Sequence, residues 1–249
     1  VCCFVWFIFL SALFGWPDQG LAFDAVIHLG TLGALLGYFH RDLLAMARSF
    51  LNGEAASRPP RRLALILGAA TVPAGLAGLL AQKAIESRLR VPGLVAASLI
   101  GWALVMWRAD RWAARQRKPT RRTEAVGWGA GLVVGFSQAL ALIPGTSRSG
   151  ITITAGLLTR MDRVTAARFS FLLGIPVTAA AGGAKMLDLL RHGLDSGQVG
   201  PLLVGLVVAF VSGLAAVSFL VSFLQRFSLL PFVIYRIALG TVIVLTLGL

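Results

Sequence analysis

The sequence predicts an all-α polytopic integral membrane protein, a helical bundle that forms one transmembrane domain over residues 1–249. Hydrophobic residues make up 57% of the chain and charged residues only 13%, whereas a soluble domain carries about 25% charged residues. The charges also lie in clusters, separated by apolar runs close to the roughly 20 residues that a helix needs to cross a bilayer. Because backbone groups in lipid must be paired within the chain, each run is predicted to be a helix.

The predicted membrane helices cover residues 21–39, 63–82, 92–107, 125–143, 169–187, 201–224 and 229–249. Residues 1–13 are expected to form an atypical or truncated first segment. They are apolar from Val1 onward and lack the basic start of a signal peptide.

The formal charge of +13 comes from basic residues in the connections between these runs. Residues 41–62 and 108–122 are the two most basic connections. Such clusters mark the cytoplasmic loops of membrane proteins and contact anionic lipid headgroups. The basic residues form no stripe interleaved with aromatic residues, which argues against a nucleic-acid partner.

If both basic connections lie in the cytoplasm, two sets of polar residues are predicted to lie on the outer side of the membrane. The span count puts Asp24 and His28 in the outer half of their helix. It also makes residues 125–143 cross outward, so that the polar residues after them arrive at the same face. Glycines at every fourth residue from 127 to 135 favour close helix packing in this span.

A re-entrant segment is predicted at residues 144–160. Pro144 and Gly145 break the preceding helix, and residues 151–159 are too short to cross the membrane. Irregular backbone persists at membrane depth where protein or a cavity surrounds it. We therefore expect the basic residues after this segment to lie on the outer side, namely Arg160, Arg163 and Arg168. We also expect Arg236 to lie in the outer half of the last helix.

Residues 144–150, Pro-Gly-Thr-Ser-Arg-Ser-Gly, have the composition of a phosphate-binding segment, called here the 144–150 motif. Arg148 carries a planar fork that pairs with two phosphate oxygens. Glycines allow tight turns, and a helix that opens at Ser149 or Gly150 would direct free N–H groups at the same anion. A capped turn with a snorkelling arginine is the alternative. The predicted phosphate contacts are Gly145, Thr146, Ser147, Arg148, Ser149, Gly150 and Thr152.

Asp24 and His28 are four residues apart and share one face of their helix. Ionisable groups inside a membrane helix are costly and are candidates for function. An interfacial pair near the helix start is the equal alternative. Gln138, in the span that leads to the motif, is a further polar candidate.

These motifs resemble those of the undecaprenyl-diphosphate phosphatase, or bacitracin-resistance, family. The resemblance is carried by residues 141–153 around the motif and by Phe-Ser-Phe-Leu-Leu at residues 169–173. Residues 15–20, 22–30 and 231–236 fit it as well, so it covers nearly the whole chain.

The resemblance implies removal of the terminal phosphate from undecaprenyl diphosphate, which recycles the lipid carrier of cell-wall peptidoglycan synthesis and confers bacitracin resistance. It implies a multi-pass protein of the bacterial plasma (inner) membrane with inverted repeats, re-entrant hairpins and a site toward the periplasm. Dependence on a divalent cation, Mg²⁺ or Ca²⁺, is also implied. Ser147 and Arg148 would be catalytic, and Arg236 would add a phosphate contact. A homodimer is left open.

Ahead of residue 15 the family has a Glu-rich stretch and a Leu-Pro-x-Ser-Ser-x-Gly-His segment, where this chain has residues 1–9 without Glu, Ser or His. We therefore expect either a chain that is truncated at its amino terminus or a family member with impaired catalysis. The nearby substitutes are His28, as a proton-transfer group, and Asp24, as a metal ligand.

Two mechanisms stay open at this point. Ser147 attacks phosphorus directly and forms a phosphoseryl intermediate. Alternatively, an activated water attacks while Arg148 and a metal neutralise the developing charge.

Two other functions compete with this interpretation. A polyprenyl-phosphate binder or transporter without catalysis has similar broken helices and buried polar residues. A histidine-dependent lipid phosphatase needs an attacking His after the Ser-Arg pair. The His that follows Arg148 is His192, in a connection assigned to the opposite face.

Overall fold

The computed structural model describes residues 20–51, 58–88, 91–116, 119–192 and 199–247, and this part of the chain is all-α, as predicted. The expected first segment at residues 1–13 lies outside the described residues. The described helices are α1 (Gly20–Tyr38), α2 (His40–Leu51), α3 (Arg58–Arg88), α4 (Pro92–Ala113), α5 (Trp128–Ala139), α6 (Arg148–Leu158), α7 (Arg163–His192), α8 (Val199–Leu224) and α9 (Leu230–Leu247).

Within the described residues, α3, α4, α7 and α8 are long and apolar enough to cross a membrane. Helices α1 and α9 contain shorter apolar stretches, Val26–Tyr38 and Leu230–Thr246. Large apolar side chains such as Leu80, Val204 and Phe219 are exposed on the outside of the bundle. Apolar surface this extensive marks a face that contacts lipid, which confirms the predicted membrane protein.

The predicted span at residues 125–143 is replaced by a short helix. Helix α5 has 12 residues, which is about 18 Å and too short to cross a bilayer. A 3₁₀ turn at Leu140–Leu142 follows it, and α6 then runs back beside α5. The 144–150 motif therefore lies at the tip of a helical hairpin.

The two ends of this hairpin are joined by backbone hydrogen bonds. The N–H of Thr120 donates to the carbonyl of Arg160 at 2.8 Å, and the N–H of Asp162 donates to the carbonyl of Thr120 at 3.1 Å. The chain thus enters and leaves at the same level. The re-entrant unit runs from Thr120 to Met161, with α5 as its first arm, and is longer than the predicted segment at residues 144–160.

The basic residues after the hairpin lie on the side opposite to the one predicted. Arg163 forms a bidentate ion pair with Asp110 at the end of α4, and Arg168 pairs with Asp42 at 2.8 Å. Both carboxylates belong to the basic connections. Residues 39–51, 108–116 and 160–168 therefore share one end of the bundle, which we call the basic face. The prediction that Arg160, Arg163 and Arg168 lie opposite this face is wrong, because the hairpin returns to its side of entry.

The same geometry reverses the direction of the last helix. The N–H of Leu229, just before α9, donates to a carboxylate oxygen of Asp110 at 3.4 Å. Helix α9 therefore begins at the basic face and runs away from it. Arg236 lies in the half of α9 nearer this face, not in the far half as predicted.

The described helices form two groups that run in opposite directions. Helix α1 ends at the basic face, where Arg168 lies over the ring of Phe39, and α3 begins there. Helix α4 ends there at Asp110. In the second group α7 begins at this face, α8 ends there beside Arg163, and α9 begins there. Helices α1 and α7 pack together, as do α4 and α9. This is the arrangement of an inverted repeat.

Glycines bring the first arm of the hairpin close to its neighbours. A Cβ on Gly131 would collide with Ile66, and one on Gly135 would collide with Ala70. No larger residue fits at either position, which confirms the predicted close packing. Gly131 faces Ile66, and four residues later Gly135 faces Ala70. Helices α5 and α3 therefore run parallel from the basic face.

Candidate active site

Ser147 is the N-cap of helix α6. Its backbone is extended, with φ −69° and ψ 124°, and its Oγ accepts a hydrogen bond from the N–H of Gly150 at 3.2 Å. Helical geometry leaves the N–H groups of Arg148 and Ser149 without acceptors inside the helix. The tip of the hairpin thus directs free N–H groups and a positive helix end at the same point, as an anion site requires.

Gly145 makes the turn at the tip. Its φ of +85° lies in the left-handed region that favours glycine. A Cβ here would lie 2.5 Å from the carbonyl oxygen of Val95 and 3.1 Å from Cβ of Ser98, both on α4. The tip is therefore packed directly against α4, and only glycine fits this approach.

The Arg148 side chain extends along α7. Its Nη1 donates to the hydroxyl of Thr178 at 3.1 Å, and a Cβ on Gly174 would lie 3.2 Å from its Nη2. Within the described part of the chain, this is its one hydrogen bond, and no carboxylate pairs with it. A guanidinium has five N–H donors. Most of them remain for an anionic ligand, and a buried cation without an anion favours binding one.

Thr152 supports the motif from inside the protein. It is 1% exposed, and its hydroxyl lies 2.6 Å from that of Ser170 on α7 and 2.8 Å from the carbonyl of Arg148. These bonds fasten the first turn of α6 to α7. Its predicted phosphate contact is thus at most indirect in this geometry.

Arg236 approaches the tip from α9 and binds main-chain carbonyls. Its Nη2 donates to Gly145 at 3.2 Å and its Nε to Leu99 at 3.5 Å, and the residue is 3% exposed. Its Nη1 lies close to Gly150, within 2.9 Å of the place where a Cβ would be. The bonds to Gly145 and Leu99 position the tip against α4. Direct phosphate binding by Arg236 stays a prediction.

His28 on α1 packs against α7, the helix that also carries Thr178, the hydrogen-bond partner of Arg148. The Cβ of His28 lies 3.4 Å from the place of a Cβ on Gly182, one turn along α7 from Thr178. The side chain is half-buried. Asp24 lies one turn further from this point on α1, and its side chain is outside what the structure describes. The proton-transfer role of His28 and the metal role of Asp24 stay predictions.

The profile of the family described as "Bacitracin resistance protein BacA" matches residues 6–242. The chain belongs to this family.

Relatives of the chain within the BacA family have curated names. It is 44% identical over 238 residues to the "Undecaprenyl-diphosphatase" of Nitrosococcus oceani, covering 95% of this chain and 88% of the relative. It is 43% identical over 242 residues to "Undecaprenyl-diphosphatase 2" of Stutzerimonas stutzeri, with 95% and 87% covered. It is also 43% identical over 252 residues to the "Undecaprenyl-diphosphatase" of Thermomicrobium roseum, with 97% and 89% covered.

The described residues do not by themselves fit a divalent cation. Among them, no group of three His, Cys, Asp or Glu side chains lies together. Around the motif the side chains are hydroxyls and two arginines, and Mg²⁺ and Ca²⁺ bind mainly carboxylate and carbonyl oxygens.

Three residues of α7 at the site were missed from the sequence. Ser170, Gly174 and Thr178 bind or adjoin Thr152 and Arg148. Their spacing of four residues was the available signal, because it aligns small and polar residues on one face of an otherwise apolar helix.

Proposed function

We propose that this member of the BacA family is an undecaprenyl-diphosphate phosphatase, which removes the terminal phosphate of that lipid. The observation that carries the proposal is the position of Arg148. It lies at the N-terminus of α6, at the tip of a membrane hairpin, with most of its donors unengaged by the described residues. The names of relatives at 43–44% identity agree with this chemistry.

The reaction needs little from the protein except charge stabilisation and positioning. An oxygen nucleophile bonds to the terminal phosphorus, and the bond from that phosphorus to the bridging oxygen breaks. The bridging oxygen remains on the lipid monophosphate, and with water as the final acceptor, inorganic phosphate is released. Arg148 and the free N–H groups of α6 neutralise the charge that develops on the phosphoryl oxygens.

Both routes of attack stay within the proposal. Ser147 Oγ accepts from Gly150 as a helix cap and lies 3.5 Å from the hydroxyl of Ser149. One lone pair of Ser147 is thus used in the cap, and a second is available. Rapid quenching with substrate labelled in the terminal phosphate distinguishes the routes. Labelled phosphoserine at Ser147 excludes a route by water alone.

The basic face is proposed to lie in the cytoplasm of a bacterium, since basic connections stay on that side. The site would then open to the periplasm, as required for a carrier released outside the plasma membrane. Cysteines introduced on either face, labelled with a membrane-impermeant reagent in intact cells, test this orientation. Labelling of an introduced cysteine on the basic face in intact cells would contradict it.

The dependence on Mg²⁺ or Ca²⁺ is carried only by the family resemblance. When bound, a divalent cation would supply further charge neutralisation on the diphosphate. The chain's own contribution at the described site is Arg148 with the surrounding hydroxyls. Chelation followed by readdition of Mg²⁺ or Ca²⁺, with phosphate release as the readout, tests the dependence.

A polyprenyl-phosphate binder or transporter is the second candidate, because opposed helix groups and a broken membrane hairpin also build transporters. The deciding experiment measures phosphate release from undecaprenyl diphosphate by purified protein and by Arg148→Ala. The enzyme predicts release that falls about 100-fold in the variant, while the exposed Arg121→Ala control stays active. Binding of the lipid without release by the unmodified protein would favour the second candidate.

A further inference from the structure

Gln138 on α5 is a buried amide that the described protein leaves without hydrogen bonds. The residue is 2% exposed, and neither its Nε2 nor its Oε1 has a partner among the described residues. Buried amides without partners are costly, so they are rare in proteins unless a ligand or water binds them. The Gln138 carboxamide has no part in the phosphatase chemistry proposed above.

The packing of α5 shows how deep Gln138 lies. Gly131 meets Ile66 and the ring of Phe169, and Gly135 meets Ala70 one turn further on. Gln138 continues this face by another turn. Because α5 runs parallel to α3 and α7 from the basic face, Gln138 lies at the level of residues 73–74 and 173–176.

This level is also that of the Arg148 guanidinium. Arg148 lies against Gly174 and donates to Thr178. The hairpin arms α5 and α6 both contact α3 or α7 here. Gln138 thus belongs to the same layer of the protein as the predicted phosphate site, on the arm of the hairpin opposite Arg148.

Two prolines make this layer more polar than an ordinary helix core. Pro73 in α3 and Pro176 in α7 lack the N–H that would bond the carbonyls of Ala69 and Leu172. These carbonyls therefore lack the N–H donor that an α-helix normally supplies four residues later. Polar main-chain groups at membrane depth persist where they border protein or a hydrated cavity.

The chemistry of the open groups selects the ligand. The oxygens of a phosphate group only accept hydrogen bonds, so a phosphate would leave the Gln138 Oε1 without a donor. A water molecule both donates and accepts and can therefore pair with Oε1. We propose that the Gln138 carboxamide binds the water that hydrolyses the substrate, a role that rests on the proposed function. Oε1 accepts from the water, and Nε2 donates to a phosphoryl oxygen in the transition state, where the charge on that oxygen is greatest. An amide does not take a proton at neutral pH, so Gln138 orients this water, as glutamine does in some nucleotide hydrolases.

Replacement by methionine separates this role from a structural one. Gln138→Met keeps the length of the side chain and removes both polar atoms. We expect kcat to fall about 10- to 100-fold through loss of water orientation, with KM for undecaprenyl diphosphate within about twofold. Since no bond of the fold is lost, the melting temperature should stay the same or rise. Ser137→Ala is the matched control and should keep kcat, because among the described residues this hydroxyl bonds only the carbonyl of Val134 on the same helix.

The outcomes are separable. A Gln138→Met enzyme with unchanged kcat overturns this assignment and leaves the proposed function intact. A higher KM at unchanged kcat overturns it in favour of substrate binding. A fall of more than about 4 °C in melting temperature overturns it in favour of a structural amide. Absence of phosphate release from the unmodified protein overturns the proposed function itself, and this assignment with it.

Discussion

The guanidinium of Arg236 donates a hydrogen bond from Nη2 to the carbonyl oxygen of Gly145 at 3.2 Å. Its Nε donates to Leu99, so one side chain of α9 connects the hairpin tip to α4. Arg148 instead contacts α7 through Thr178. The two arginines near the tip therefore differ in kind, because Arg236 binds main-chain carbonyls and Arg148 keeps most donors for a ligand.

Replacing Arg236 with methionine is expected to weaken the fold as well as the activity. The change leaves the carbonyls of Gly145 and Leu99 without these donors, which costs about 2 kcal/mol or more of the free energy of unfolding. Thermal unfolding in detergent and phosphate release should fall together. Loss of activity with an unchanged melting temperature would instead indicate direct phosphate contact by Arg236.

Replacing Arg148 with methionine is expected to have the opposite effect on stability. In the described structure this side chain is a buried cation with one hydrogen bond and no anion, and burying such a charge is unfavourable. The melting temperature of Arg148→Met should therefore be equal to or above that of the unmodified protein. Phosphate release should fall about 100-fold. A marked loss of stability would contradict a ligand-binding role.

Gly174→Ala tests the position of the Arg148 guanidinium without removing it. The added Cβ would lie 3.2 Å from Nη2, so the guanidinium must shift by a few tenths of an ångström. We expect kcat/KM to fall about tenfold, because misplaced transition-state contacts are lost steeply. Gly183→Ala on the same helix is the matched control, because its added Cβ would meet no described atom outside its own stretch of helix within 4 Å. Equal activities of the two variants would contradict this geometry.

Much of this site could be predicted from the sequence because its signals are local. The helix break at Pro144 and the presence of a helix after the motif depend on neighbouring residues, although α6 begins at Arg148 and not at Ser149 or Gly150 as predicted. The close approach of α5 followed from its glycine spacing. These features require no knowledge of distant contacts.

The topology around the hairpin could not be predicted, because it depends on distant pairs. Because Thr120 joins Met161, the apparent span at residues 125–143 is only the first arm of a hairpin, and each helix after the hairpin runs in the direction opposite to the predicted one. The partners of Arg163 and Arg168 are 53 and 126 residues away. The wrong position predicted for these arginines came from taking residues 125–143 as a full span, whereas α5 is only 12 residues long.

The ion pairs of the basic face should differ in their contribution to stability. Asp110 is 7% exposed and binds Arg163 twice and the N–H of Leu229, whereas Asp42 and Arg168 are 27% and 32% exposed. We expect Asp110→Asn to lower the free energy of unfolding by about 2–3 kcal/mol and Asp42→Asn by about 0–1 kcal/mol. Thermal unfolding in detergent measures both. A larger effect of Asp42→Asn would contradict this order.

His28→Ala is expected to lower turnover at least about tenfold if His28 transfers a proton. The physical reason is its place against Gly182 of α7, one turn from the hydroxyl bonded to Arg148, on the half-buried face of α1. An imidazole nitrogen can accept a proton and return it, as a proton-transfer group must. His40→Ala, at the exposed start of α2, removes the same group far from the motif and is the control. Phosphate release should fall in His28→Ala and stay close to that of the unmodified protein in His40→Ala. Equal release by the two variants would assign His28 a packing role and place the proton-transfer group elsewhere in the chain.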